Sequence, residues 1–207
     1  MREFLIFGFI ILFVLQNTSH LYAQTATRWL IPVYANNRQS FEEINLTAIG
    51  QFGEPRIARP NIPAHLHTGI DIVRPGANYD YEPVYSVGQG SVISIRDDGP
   101  FAQIIIEHLC DDGKLIWTVY EHLAGIRVKL GQSVDPFSPI ARFMNRKELD
   151  EYGWQFDHLH FEILKIKPRP LIPDERKPFC YFGTYCLECY NARDLQEKYI
   201  DPLAFFK

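Results

Sequence analysis

The sequence predicts a mainly β protein, a compact antiparallel sheet domain with short helices. Three observations carry this. From residue 83 to 143 the chain reads "PVYSVGQGSVISIRDDGPFAQIIIEHLCDDGKLIWTVYEHLAGIRVKLGQSVDPFSPIARF", rich in β-branched and aromatic residues. Turn signals at 88–90, 97–100, 111–113 and 131–132 cut that run into lengths suited to short antiparallel strands. Helical patterning is confined to "NRKELDEYG" at 145–153 and "ARDLQEKYI" at 192–200, each only a few turns long.

The N-terminus opens "MREFLIFGFIILFVLQNTSHLYAQ", with Arg2, an apolar stretch at 4–15 and a polar exit to Ala23. Twelve apolar residues are short of the ~20 that span a bilayer, and Ala23 suits signal-peptidase cleavage. Residues 1–23 are therefore expected to be a secretory signal peptide, so the folded part works secreted or in the periplasm, with no membrane attachment after signal removal. The chain has 207 residues, 46% hydrophobic and 22% charged, with net charge -4, which suits one domain with an adequate core. No Lys/Arg run stands out, which excludes an electrostatic footprint for nucleic acid. Four cysteines, Cys110 and the cluster Cys180, Cys186 and Cys189, predict disulfide stapling in an oxidising compartment, with three connectivities possible. The stretch "KIKPRPLIPDERKP" at 165–178 reads as a surface excursion. Nothing in the pattern speaks to oligomeric state.

The chemistry concentrates in the histidines. In "FDHLHFEI" at 156–163, a period of two sends Leu159, Phe161 and Ile163 to one face and His158, His160 and Glu162 to the other. Upstream, "HLHTGIDIV" holds His67 and Asp71 four apart in an extended segment. Fully extended, their Cα atoms would lie about 13 Å apart, too far for one ion with bonds of roughly 2 Å, so Gly69 is expected to let the backbone bend. His67, Asp71 and one of His158 or His160 have the composition of a catalytic zinc site, three protein ligands with a fourth position left for water. The leftover histidine would sit about 7 Å along the strand, within reach of that water.

At these residues the chain resembles the lysostaphin-type, LytM-like zinc metalloendopeptidases. "HTGIDI", "YEHL" at 120–123 and "HLHFEI" at 158–163 look like the three motifs of that family, in order. "IGQFGEPRIARP", "PVYSVGQGSV", "IIIEHLCDDGKLIWTVYEHL", "VKLGQSVDPFSPIA" and "DPLAFF" resemble its further segments. The resemblance implies a core at 49–164, a preceding segment at 24–48, a Cys-containing insertion at 165–199 and a closing segment at 200–207. The remaining length predicts no separate wall-binding domain. It also implies one zinc ion per chain on His67, Asp71 and His160, with His122 and His158 handling the proton and the developing charge, and peptidoglycan peptides as substrate.

Other residues carry expectations of their own. His65 is expected at the surface, Arg56 and Arg59 in surface salt bridges rather than on a substrate carboxylate, and His108 in a structural hydrogen bond. Asp157 is expected to raise the pKa of His158 if the two side chains approach. The sequence departs from the family at "RFMNRKELDEYGWQFDHLHFEI", where a glycine-rich wall of the substrate groove is usual. That departure keeps two readings open, a zinc peptidase acting on peptidoglycan and a non-enzymatic relative that regulates a cell-wall hydrolase.

Overall fold

The computed structural model describes residues 28–206; the stretch expected to be a signal peptide lies outside the described residues. Among the described residues no helix is long and apolar enough to cross a membrane. The architecture is mainly β. The principal sheet places the strand His158–Leu164 beside Leu115–Glu121, followed by Gln103–Leu109, Gly90–Arg96 and Ser133–Val134. The other edge of His158–Leu164 is shared: Ile70–Val73 pairs with its first half and Tyr199–Ile200 with its end. A smaller sheet joins Pro83–Tyr85, Pro139–Phe143 and Leu123–Ala124.

Both faces of the principal sheet are covered, which explains why "QIIIE" runs apolar without alternation. Ile104, Ile106, Tyr120, Leu159, Phe161 and Ile163 join the main core with Ile31, Val33 and Ile70. Ile105, Trp117, Val119 and Leu164 face the other way, and Cys189, Leu195 and Tyr199 from the far end of the chain cover them. Burying Leu159, Phe161 and Ile163, each contributing roughly 1.5–3 kcal/mol, pins the register of the strand. A slip of one residue would turn His158, His160 and Glu162 into the core.

The two expected helices form at Arg146–Tyr152 and Ala192–Lys198, and a third short turn follows at Pro202–Phe205. Asn145 starts the first with a capping box, its side chain accepting from the Glu148 amide while the Glu148 carboxylate accepts from the Asn145 amide. The four cysteines are unpaired in the structure, which does not show the expected staple. Cys189 is instead packed in the second cluster as a small apolar side chain.

His108 is fully buried and bonded through Nδ1 to the Gln89 carbonyl at 2.8 Å and through Nε2 to the Thr118 hydroxyl at 2.8 Å, as its structural role requires. Burial pushes its pKa down to about 4. Between pH 6.5 and 4 the unfolded chain binds this proton and the native chain does not, so stability falls as the pH is lowered across that window. The shift amounts to about 3 kcal/mol, fully present above pH 6.5 and lost on acidification. Denaturant titrations at pH 6.5 and 4 should show a smaller loss for His108→Gln than for the parent; equal losses would remove the assignment.

Candidate metal centre

The strand pairing builds the site. His160 and Asp71 are direct cross-strand partners, so their side chains leave the same face side by side. His67 follows the short strand His65–Leu66 and is tied to the segment at 53–54: its amide donates to the Glu54 carbonyl and its carbonyl accepts from the Gly53 amide. The backbone bends at Gly69, as expected, without a positive φ, and the glycine serves a second purpose. A Cβ there would lie 2.2 Å from the Phe161 carbonyl oxygen, so glycine is what lets the two backbones close together.

Three donor atoms converge. His67 Nε2 lies 3.0 Å from His160 Nδ1 and 3.0 Å from Asp71 Oδ1, and His160 Nδ1 lies 2.9 Å from the same oxygen. These residues form the one group among the described residues able to hold a metal ion. Their protonation follows from their outer partners. His67 Nδ1 faces the Gln51 carbonyl at 2.9 Å, which can only accept, so Nδ1 carries the hydrogen and Nε2 the lone pair. His160 Nε2 donates to Glu162 Oε1 at 3.0 Å, which also accepts from the Thr68 hydroxyl at 2.5 Å. Arg56 holds Asp71 Oδ2 at 2.7 Å and leaves Oδ1 to the cluster.

With these partners, three lone pairs point at one another across about 3 Å, an arrangement that repels unless a cation lies among them. Without metal that cation is a proton on His160. Burial alone would lower this pKa, but hydrogen bonds to Asp71 and Glu162 outweigh it and hold it well above the usual value. Burial would raise the Asp71 carboxyl, yet the hydrogen bond from His160 outweighs it and keeps the carboxyl well below the carboxylate range. Burial lowers His67.

His122 and His158 stand beside this cluster, their rings edge to face at 4.8 Å between centroids. His158 Nε2 is 3.6 Å from Asp71 Oδ1. Burial pushes His158 to about 4 and lowers His122 as well. His122 Nδ1 donates to the Pro100 carbonyl at 2.6 Å, which leaves its Nε2 free of hydrogen at the opposite corner of the ring. Its backbone lies at φ 64, a left-handed conformation that is uncommon outside glycine and turns the chain toward the smaller sheet. Phe156 packs at 5.0 Å from its ring, and Phe101 at 5.6 Å from Phe156.

All five nominated residues, His67, Asp71, His122, His158 and His160, thus come together. His65 does not join them; it is buried against the Pro63 carbonyl rather than at the surface. Arg59 is exposed. Two further expectations are overturned. Arg56 is partly buried on the candidate ligand Asp71, not in a surface salt bridge. Asp157 turns away from His158 to accept from Arg74 at 2.7 Å and from the Tyr79 hydroxyl at 3.1 Å, and the His158 pKa is lowered, not raised. Arg74 is itself buried with a bond to the Met144 carbonyl, so its charge captures the carboxylate. The roles of Gln51 and Glu162 went unread, although the two-residue alternation already put Glu162 on the face of His160.

The profile of peptidase family M23 matches residues 65–173. No curated protein matches the chain. Among solved structures, a zinc containing peptidase from Vibrio cholerae aligns at 29% identity over 66% of this chain and 37% of that one, with a TM-score of 0.44. The catalytic domain of lysostaphin from Staphylococcus simulans aligns at 19% identity over 76% of this chain and 88% of that one, TM-score 0.44. A chain of the SpoIIIAH and SpoIIQ complex aligns at 23% identity over 66% of this chain and 92% of that one, TM-score 0.45.

Proposed function

Because the chain belongs to peptidase family M23, we propose that it is a secreted zinc metalloendopeptidase that hydrolyses peptide bonds in peptidoglycan stems or cross-bridges. The observation that carries this reading is the convergence of two imidazole nitrogens and a carboxylate oxygen within about 3 Å, a set that needs a cation among them, which a proton on His160 supplies and a metal ion would replace. The donor set fits zinc: two imidazoles and one carboxylate are the ligands of catalytic sites that keep a position open, rather than of closed structural ones. When bound, zinc supplies the Lewis acidity that lowers the pKa of water and polarises a carbonyl. His67, Asp71 and His160 would hold one ion per chain. The apolar stretch at 4–15 supports export.

The other residues do the proton chemistry. Burial keeps His122 and His158 neutral at pH 7, so either imidazole can accept the proton of the attacking water and return it to the leaving amine. The imidazolium formed on the way is a hydrogen-bond donor to the negative oxygen of the tetrahedral carbon. Gln51 and Glu162 fix the tautomers of the two ligand imidazoles, and Arg56 leaves Asp71 one free oxygen. Phe101 and Phe156 shield His122 from bulk water.

Digestion of purified peptidoglycan should proceed with the zinc-loaded chain, stop with a chelator and return when zinc is restored. Digestion that ignores the chelator would defeat the metal reading. Zinc binding without digestion would favour the regulator of a cell-wall hydrolase.

A further inference from the structure

The insertion at 165–199 does more than cover a face of the sheet. Its first half folds back on itself: Arg169–Pro170 pairs with Phe182–Gly183, and the Leu171 amide donates to the Tyr181 carbonyl at 2.8 Å. The tip so formed docks on the end of the strand Gly90–Arg96. There the Ile95 amide donates to the Phe179 carbonyl at 2.9 Å, and the Phe182 amide donates to the Ser94 hydroxyl at 3.0 Å. From this tip Lys177 reaches Asp98 Oδ2 at 3.0 Å.

Asp98 opens the short turn Gly99–Phe101, whose Pro100 carbonyl holds His122. Arg96 grips that turn from within. Its Nε donates to the Phe101 carbonyl at 2.6 Å and lies 3.0 Å from Asp98 Oδ1, a charge contact without hydrogen-bond alignment. Its other nitrogen donates at 3.0 Å to Glu121, the residue before His122, and Gln103 donates to the second oxygen of Glu121 at 2.8 Å. The four charges Lys177, Asp98, Arg96 and Glu121 alternate in sign along a line ending at the backbone of His122. Both ends of the His122–Pro100 hydrogen bond therefore depend on one guanidinium, and the insertion holds its carboxylate partner.

We propose that the insertion braces the proton-transfer side of the site, with Lys177 a positioning residue that acts through Asp98 and Arg96 to hold the Pro100 carbonyl against His122. This rests on His122 handling a proton in the reaction proposed above. Single exposed ion pairs contribute little, but a chain of alternating charges, shielded to 38% exposure at Lys177 and 15% at Glu121, restricts a three-residue turn that few other bonds hold. A small displacement of Pro100 frees the imidazole to rotate and to exchange its proton between nitrogens, which lowers the fraction ready to accept.

The test uses the zinc-loaded full chain, with Lys177→Met to remove the charge at nearly constant shape and Lys177→Arg to keep it. Lys177→Met should lower kcat about 5-fold at unchanged KM and unchanged zinc content, and Lys177→Arg should stay within about 2-fold of the parent. Nitrogen NMR of the His122 ring in the same proteins gives a readout independent of turnover. The parent and Lys177→Arg should show one fixed tautomer with hydrogen on Nδ1, and Lys177→Met a mixture. An unchanged His122 signal in Lys177→Met, with unchanged kcat, overturns the brace. If the parent digests nothing, the peptidase reading fails while the ring signal still decides the brace. A mixed tautomer in Lys177→Met alone supports it; identical signals in all three overturn it.

Discussion

His160→Ala should strip the chain of zinc and abolish hydrolysis, whereas His158→Ala should keep its zinc and turn over slowly. The two imidazoles lie on one face of one strand, yet their surroundings separate them. His160 Nδ1 is 2.9 Å from Asp71 Oδ1 and 3.0 Å from His67 Nε2, and its far nitrogen is fixed by Glu162. Removing it leaves two donors, too few to hold zinc against solvent. His158 stands 3.6 Å from the same oxygen, with its imidazole pushed to about 4 by burial. Its loss leaves all three donors, and the rate should fall by roughly 100-fold to 10,000-fold, the worth of a general base. Neither change touches Leu159, Phe161 or Ile163, so both variants should fold. Zinc content and hydrolysis rate measured beside the parent decide it. The reverse pattern would exchange the roles, and full activity in both would end the peptidase reading.

Gly69→Ala should be strongly damaging, since among the described glycines its added carbon makes the shortest contact. The added carbon would sit 2.2 Å from the Phe161 carbonyl oxygen and 2.9 Å from its carbon, both backbone atoms of a central strand. Relief requires the segment carrying His67 and Asp71 to move off the strand carrying His160. Overpacking of this kind costs roughly 1–3 kcal/mol, at the upper end here because no flexible side chain can give way. Zinc affinity should fall with stability, since the three donors sit on the two segments being forced apart. Equilibrium unfolding and a zinc competition titration report the two losses separately. An alanine variant as stable as the parent, with parental affinity, would show that the close approach is not required.

Much of this site was legible because its ligands repeat along strands. Alternation placed His158, His160 and Glu162 on one face, and the apolar face fixed which way that face turned. The helices were legible from their patterning, and the structure caps them with Asn145 and Asn191. What escaped reading depends on partners far away in sequence. Asp157 was expected to act on His158 if the two side chains approached, but the buried Arg74, 83 residues from Asp157, takes it. Arg56 lies in an irregular stretch whose hydrogen bonds are set by the fold, so nothing local tied it to Asp71. The cysteines are unpaired in the structure, and composition counts thiols, while pairing needs geometry that spacing does not supply.

The strand Ile70–Val73, which carries Asp71, has its outer edge closed by the residues just before the first motif. The Val73 amide donates to the Asn45 carbonyl, the Thr47 amide to the Asp71 carbonyl and the Asp71 amide to the Gly50 carbonyl, while Ile31 and Val33 are fully buried further back. A fragment cut to begin at residue 49 would carry every histidine named above and still expose a raw β edge at the ligand. Such an edge invites a second copy to pair with it. Expression of the minimal motif-bearing piece would thus yield aggregates whose inactivity says nothing about the chemistry, and the practical unit for biochemistry starts no later than Leu30.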